Sequence, residues 1–308
     1  MKAFASLLFL LGVANPLVAQ QEPDEEPQVT DEAVEAWIRE FESSLTYQTG
    51  AVVIGGGIAT LDVPEAFRFL GPEDARRLLV EGWGNPPMDP PLGVLVPADQ
   101  SPMSDEGWAV IVTYDEDGYV EDDDAAGLDY GELLSEMQQD TKDANGDRIR
   151  AGYDPIELVG WAAPPHYDAS EHKIYWAKEL AFGESSEHTL NYNIRVLGRR
   201  GVLVMNAVAG MSQLESVATD MQSVMGFVAF NDGHRYSDFV PGADKVAAYG
   251  IGALVAGKVA AKVGLFKFIV AGLVAAKKLV VVAFLAVAAF FKRLFGRKTG
   301  EGAAGTAS

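Results

Sequence analysis

The densest set of groups able to do chemistry lies between Tyr114 and Tyr130: Asp115, Glu116, Asp117, Glu121, Asp122, Asp123, Asp124 and Asp129. Thr113, Asp115, Asp117, Gly118, Tyr119, Glu121 and Asp124 fall on positions 1, 3, 5, 6, 7, 9 and 12 of a calcium-binding loop. Carboxylate oxygens at that spacing could wrap a divalent cation, with Asp115, Asp117, Glu121 and Asp124 as metal ligands. Both ends depart from the pattern: position 1 is Thr, position 12 is the shorter Asp, and an apolar run with strand character precedes the loop. A solvated Asp-Gly turn leading into a helix accounts for the same residues. His166, Asp168 and His172 are a second group of acid, base or ligand types. Zinc would need three or four ligands on a rigid frame, and a polar loop is the alternative.

Several chemistries are excluded. With no cysteine in the chain there is no disulfide, thiol nucleophile or lipid-modified cysteine. Neither a Gly-x-Ser-x-Gly elbow nor a His-Glu-x-x-His pair occurs. Gly55-Gly56-Gly57 could cradle a phosphate, but no Lys-Ser/Thr follows and a strand does, so a hairpin turn is expected. No cofactor is implied.

The elements that must position these groups have alternating and helical patterns in turn, which predicts one α+β domain, rich in antiparallel sheet, over residues 31–244. Thr30 or Asp31 caps a helix to about Leu45, and Pro72-Glu73-Asp74 starts another to about Val80. Strands are expected at 51–54, 58–63, 92–96, 108–114 and 156–162, the last ending at Pro164-Pro165. A helix from Asp129 should stop near Lys142, with Asp143 to Asp147 as its terminating loop. The clearest sheet signal is a three-strand meander over 172–182, 189–197 and 202–208. In its middle strand Leu190, Tyr192, Ile194 and Val196 face one way and Asn191, Asn193 and Arg195 the other. That polar face suits a recognition surface or plain solvent exposure. A helix over 211–221 and a strand over 224–230 follow.

The 308 residues carry a net charge of −20, but the charge is divided. Ten basic residues and one acidic residue follow Asp244, while the acidic side chains crowd the body. Such a body repels nucleic acid, which is excluded as a partner. Met1 to Ala19 has the shape of a secretory signal peptide, followed by an acidic linker over 20–30. Residues 245–298 read as a membrane segment: a small-residue-rich helix, then a transmembrane helix from about Gly272 to Phe295. In the first part Gly250, Ala253, Gly257, Ala260 and Gly264 form one stripe on which another helix could pack. An interfacial placement of that part explains the composition as well. Residues 299–308 are expected to be a disordered tail.

Five strings together carry a resemblance: Gly82-Trp83-Gly84-Asn85-Pro86-Pro87, Asp117-Gly118-Tyr119-Val120 with Asp122-Asp123-Asp124-Ala125, Val159-Gly160-Trp161-Ala162, the run from Asn191 to Gly201, and the run from Tyr249 to Lys258. The chain resembles a bacterial family of membrane-anchored proteins, domain of unknown function 2167, over nearly the whole mature sequence. The resemblance implies a secreted or periplasmic body with a C-terminal membrane segment, and no activity. With the positive-inside bias, the body would be exported from the inner membrane with the C-terminus cytoplasmic. The expected function is a non-catalytic, membrane-anchored envelope protein that binds an envelope partner or forms a homo-oligomer. The alternative is a metal-dependent or hydrolytic envelope enzyme using the acidic patch with His166, Asp168 and His172.

Overall fold

The computed structural model describes residues 31–257, in which alternating apolar sequence builds eleven strands. They are β1 Tyr47–Gln48, β2 Gly50–Ile54, β3 Ala59–Val63, β4 Phe67–Leu70, β5 Gly93–Pro97, β6 Ala109–Asp115, β7 Ile156–Asp168, β8 Lys173–Phe182, β9 Thr189–Leu197, β10 Val202–Gly210 and β11 Val228–Phe230. Eight of them form one antiparallel sheet in the order β1-β4-β5-β6-β10-β9-β8-β7, and β11-β3-β2 form a smaller one. The fold is α+β around a large antiparallel sheet. The Gly triplet makes the expected hairpin between β2 and β3, with all three glycines at positive φ (59°, 68° and 101°). Only glycine adopts three such residues in a row without strain.

Helices cover both faces. They are α1 Asp31–Ser43, α2 Pro72–Arg77 running into a π-helical turn Leu78–Gly82, α3 Tyr130–Arg150, α4 Leu214–Phe227 and α5 Ile251–Ala256. On one face, Val217, Met221 and Val224 of α4 join Leu61 and Val63 of β3 over Val110, Val112, Ile194 and Met205. On the other, the helices divide. Phe41 of α1, Ala75 of α2 and Leu79 of the π turn close over β4, β5 and β6, whereas Ile251, Leu254 and Val255 of α5 close over Ile174, Trp176, Val202 and Val204. Met137 of α3 packs on Leu158, Leu180 and Phe182. Each fully buried aliphatic or aromatic side chain contributes about 1.5–3 kcal/mol, so these clusters are the main source of stability.

Four sequence expectations are corrected. Helix α3 does not stop at Lys142 but runs to Arg150 through Asn145 and Gly146. The reason is tertiary: Asn145 Nδ2 donates to Ile156 O and its Oδ1 accepts from Ile156 N–H, both at 2.8 Å, so the side chain acts as a strand partner for the start of β7. Strand β7 does not end at Pro164-Pro165 but continues to Asp168. It is the last strand of the sheet and its register slips between Ala163 and His166, the edge-and-bulge setting in which proline needs no ladder donor. A 3-10 turn over Met211–Gln213 leads into α4, which runs past Met221 to Phe227 and shortens β11 to three residues. Phe67–Leu70, not anticipated as a strand, inserts between β1 and β5.

The tail is corrected in part. Among the described residues no helix is long and apolar enough to cross a membrane. The small-residue stripe requires one continuous helix, but α5 ends at Ala256 and its C-cap Gly257 is left-handed at φ 72°. Gly250 is the N-cap of α5 and Ala253 lies within it, while Ala260, Gly264 and the stretches expected to be the transmembrane helix, the signal peptide, the acidic linker and the disordered tail lie outside the described residues. Residues 245–257 belong to the folded body.

Candidate functional site

The acidic loop is spent on positioning the tail. Asp124 Oδ1 accepts from Ile251 N–H at 2.9 Å and Oδ2 from Gly252 N–H at 3.0 Å, so this carboxylate sits on the first turn of α5. A Cβ on Gly250 would lie 2.7 Å from Asp124 Oδ1, which is why the approach needs glycine there. Asp117 Oδ2 accepts from Tyr249 Oη at 3.1 Å. Burial first, then Asp117, pushes the Tyr249 phenol well above its ordinary range, so it stays a donor. Between them, Tyr119 N–H donates to Lys245 O at 2.9 Å and Ala247 N–H donates to Tyr119 O at 2.8 Å. Gly118, at φ 116°, lets this backbone through, since its Cβ would meet Lys245 O at 2.7 Å. Of the four proposed ligands, Asp117 and Asp124 thus hold the tail, Asp115 ends β6 and Glu121 is exposed. Among the described residues no group of three or more His, Asp or Glu side chains is placed to hold a metal ion.

His166, Asp168 and His172 go separate ways around the β7–β8 turn. The Asp168 carboxylate is tied into the turn by Ser170 Oγ at 2.6 Å and by the N–H groups of Ser170 and Glu171, which hold it below its usual range. His166 lies against the Tyr175 ring, centroids 5.1 Å apart. His172 has a positive φ of 50° and turns back into an aromatic corner, its ring stacked on Tyr236 at 4.1 Å. Tyr236 in turn stacks on Tyr119 at 4.3 Å, and Tyr119 on Phe239 at 3.9 Å. Tyr167 Oη donates to Asp122 Oδ2 and lies 3.3 Å from His172 Nδ1, which is 3.7 Å from Asp122 Oδ2. Burial, followed by the Asp122 hydrogen bond, keeps the Tyr167 phenol protonated far above its ordinary range. A shallow depression of about 450 Å³ opens beside the cluster, lined by Asp122, Tyr130, Pro165, His166 and Tyr167. The structure therefore joins Asp122 to His172, a pairing 50 residues apart that sequence spacing does not display.

The polar face of β9 is neither an open recognition surface nor solvent-exposed. Asn191, Asn193 and Arg195 are 4%, 2% and 4% exposed, and Asn206 of β10 is 9% exposed. They form a directed chain: Arg195 Nη2 donates to Asn193 Oδ1 at 3.3 Å, Asn193 Nδ2 to Asn191 Oδ1 at 2.9 Å, and Asn191 Nδ2 to Asn206 Oδ1 at 3.0 Å. This row lies on the sheet face shared by the α1/α2 and α3/α5 coverings. Its signal was present in the alternation, but burial comes from helices distant in sequence.

A family model described as "Protein of unknown function (DUF2167)" matches residues 46–288. No curated protein matches the chain. Among solved structures, cyanobacterial PsbP from Synechocystis is 12% identical, with a TM-score of 0.32, over 61% of this chain and 94% of that one. The Saccharomyces cerevisiae Ran-binding protein Mog1p is 13% identical at a TM-score of 0.34, covering 64% and 100%. LpqN, involved in cell envelope biogenesis of Mycobacterium tuberculosis, is 13% identical at 0.29, covering 67% and 99%.

Proposed function

The chain belongs to the DUF2167 family of proteins of unknown function, and because membership assigns no activity we propose a role from how its tail is held. The protein is a membrane-anchored cell-envelope scaffold whose exported body binds a partner protein or a second copy of itself. The observation that carries this reading is the docking of residues 245–257 onto the acidic loop through Asp124, Asp117 and Tyr119. A free linker would let the body tumble at the membrane. A docked one makes body and tether a single unit, which holds a binding face at a set orientation. The basic, apolar segment after Gly257 supplies the anchor, and its Lys292, Arg293, Arg297 and Lys298 place the C-terminus in the cytoplasm with the body in the periplasm. In cell fractionation the full chain should stay with membranes through alkaline washing, and cross-linking in membranes should give one discrete higher-mass species. A full chain recovered as a soluble monomer would defeat the proposal.

A second reading, a hydrolytic envelope enzyme, draws on the Asp122–Tyr167–His172 cluster beside its depression. It requires an ester- or phosphoester-cleaving activity in the full chain that His172→Gln abolishes while leaving the fold intact. Equal turnover by both proteins removes it.

A further inference from the structure

Around the buried row on β8, β9 and β10, several donor groups lack a full set of acceptors. The register sets Lys178 beside Asn191, Trp176 beside Asn193, and Ile174 beside Arg195. Arg195 leans back along its strand: its guanidinium lies 5.0 Å over the Trp176 ring and reaches Asn193, one residue pair nearer Lys178. Each amide oxygen that takes part in the row already accepts from its neighbour. Three donors are left over. Trp176 Nε1–H is buried with no hydrogen-bond partner. Arg195 is 4% exposed and, among the described residues, its guanidinium donates to two neutral oxygens, Ile194 O and Asn193 Oδ1. Among the described residues the carboxylate that acts on Arg195 is Asp115, which attracts it without a hydrogen bond to it, and Lys178 keeps partial exposure at the end of the row.

A buried donor without an acceptor costs about 1–3 kcal/mol, and an unpaired buried charge costs more. One buried cation, a second that is partly exposed and a buried indole N–H share this face without a full set of acceptors. Burial first, then the neighbouring Arg195, pulls the Lys178 ammonium down to about 8. Burial likewise lowers Arg195 to about 10, against the pull of Asp115 and Tyr249. Negative charge placed between them would reverse both shifts. Two positive charges favour a doubly charged, multi-oxygen group over a single carboxylate.

We propose that Lys178, Trp176 and Arg195 bind a phosphate group on the inner face of the sheet, with Asn191, Asn193 and Asn206 locking the Arg195 fork in place. Lys178 is the entry contact, Trp176 Nε1–H and Arg195 the inner ones. The phosphate arrives either free or as a phosphomonoester, and the same donors serve both.

The test uses the full chain purified in a neutral detergent, titrated with inorganic phosphate and separately with glycerol 3-phosphate, with chloride at matched ionic strength as control. Calorimetry and thermal denaturation should show saturable binding and a rise in Tm with at least one of the two. Lys178→Gln, at a partly exposed position, should keep the fold and weaken binding at least tenfold. Arg195→Lys keeps the charge but loses the fork, and should also weaken it. Binding of inorganic phosphate assigns the free anion, and binding of glycerol 3-phosphate alone assigns the esterified group. Binding of neither, or binding that Lys178→Gln leaves unchanged, overturns the proposal.

Discussion

Asp244 accepts from Arg199 Nε at 2.7 Å, from Arg199 Nη2 at 3.1 Å and from Val240 N–H at 2.8 Å, with Arg200 Nε 3.5 Å away. The Arg199 fork is the main cause that holds this carboxyl down to about 2. Because the folded value is depressed, the stabilisation is fully present above the unfolded value of about 3.9 and is lost as pH falls toward about 2. Thermal denaturation of the parent and of Asp244→Asn should therefore differ most at pH 5–6, and the gap should close as pH is lowered through that window. A gap independent of pH would assign the effect to packing instead. Asp124 has a different job, satisfying two N–H groups at the start of α5. Asp124→Ala should cost about 0.5–2 kcal/mol, the usual range for a lost cap. Hydrogen exchange should then quicken over residues 251–257 while β9 and β10 stay protected.

At the level of elements, α3 and β7 depend on each other. The helix passes Gly146 because Asn145 spends its amide on both backbone groups of Ile156, and Gln138 Nε2 donates to Leu158 O at 3.1 Å. Asn145→Ala strips β7 of both contacts and should destabilise by about 0.5–1.5 kcal/mol, the net worth of a hydrogen bond at a half-buried site. In that variant α3 should fray from about Asp143 onward, read by amide exchange or NMR shifts. The helix would then end where local propensity alone ends it, since Asn-Gly is a stop signal only while nothing distant outbids it. A helix that stays intact to Arg150 would show that the packing of Met137 suffices.

For the molecule as a whole, the folded body continues past Asp244 at least as far as Gly257. Ending the chain after Asp244 removes Ile251, Leu254 and Val255, each at most 2% exposed, and uncovers Trp176, Val202 and Val204 beneath them. At about 1.5–3 kcal/mol per side chain, that loss approaches the 5–15 kcal/mol net stability of a typical domain. A chain ending after Gly257 should therefore be cooperative in urea denaturation, whereas one ending after Asp244 should be molten or aggregate. Equal midpoints for the two would remove α5 from the core.

Whatever depends on nearest neighbours along the chain is legible before folding. The alternation in β9 and the Gly55-Gly56-Gly57 hairpin are local patterns, and each is realised in the structure. The sequence also marked Asn191, Asn193 and Arg195 as one face, since side chains on a strand must alternate. Only the tertiary structure decided that this face is interior, because burial depends on helices some 150 residues before it and 55 after it in the chain. It likewise decided that Asp117 and Asp124 hold the tail, that Asp122 meets His172, and that β7 outlasts two prolines by lying at an edge. In each case a residue type permits several partners, and the one it takes is set by what the fold brings within hydrogen-bond reach.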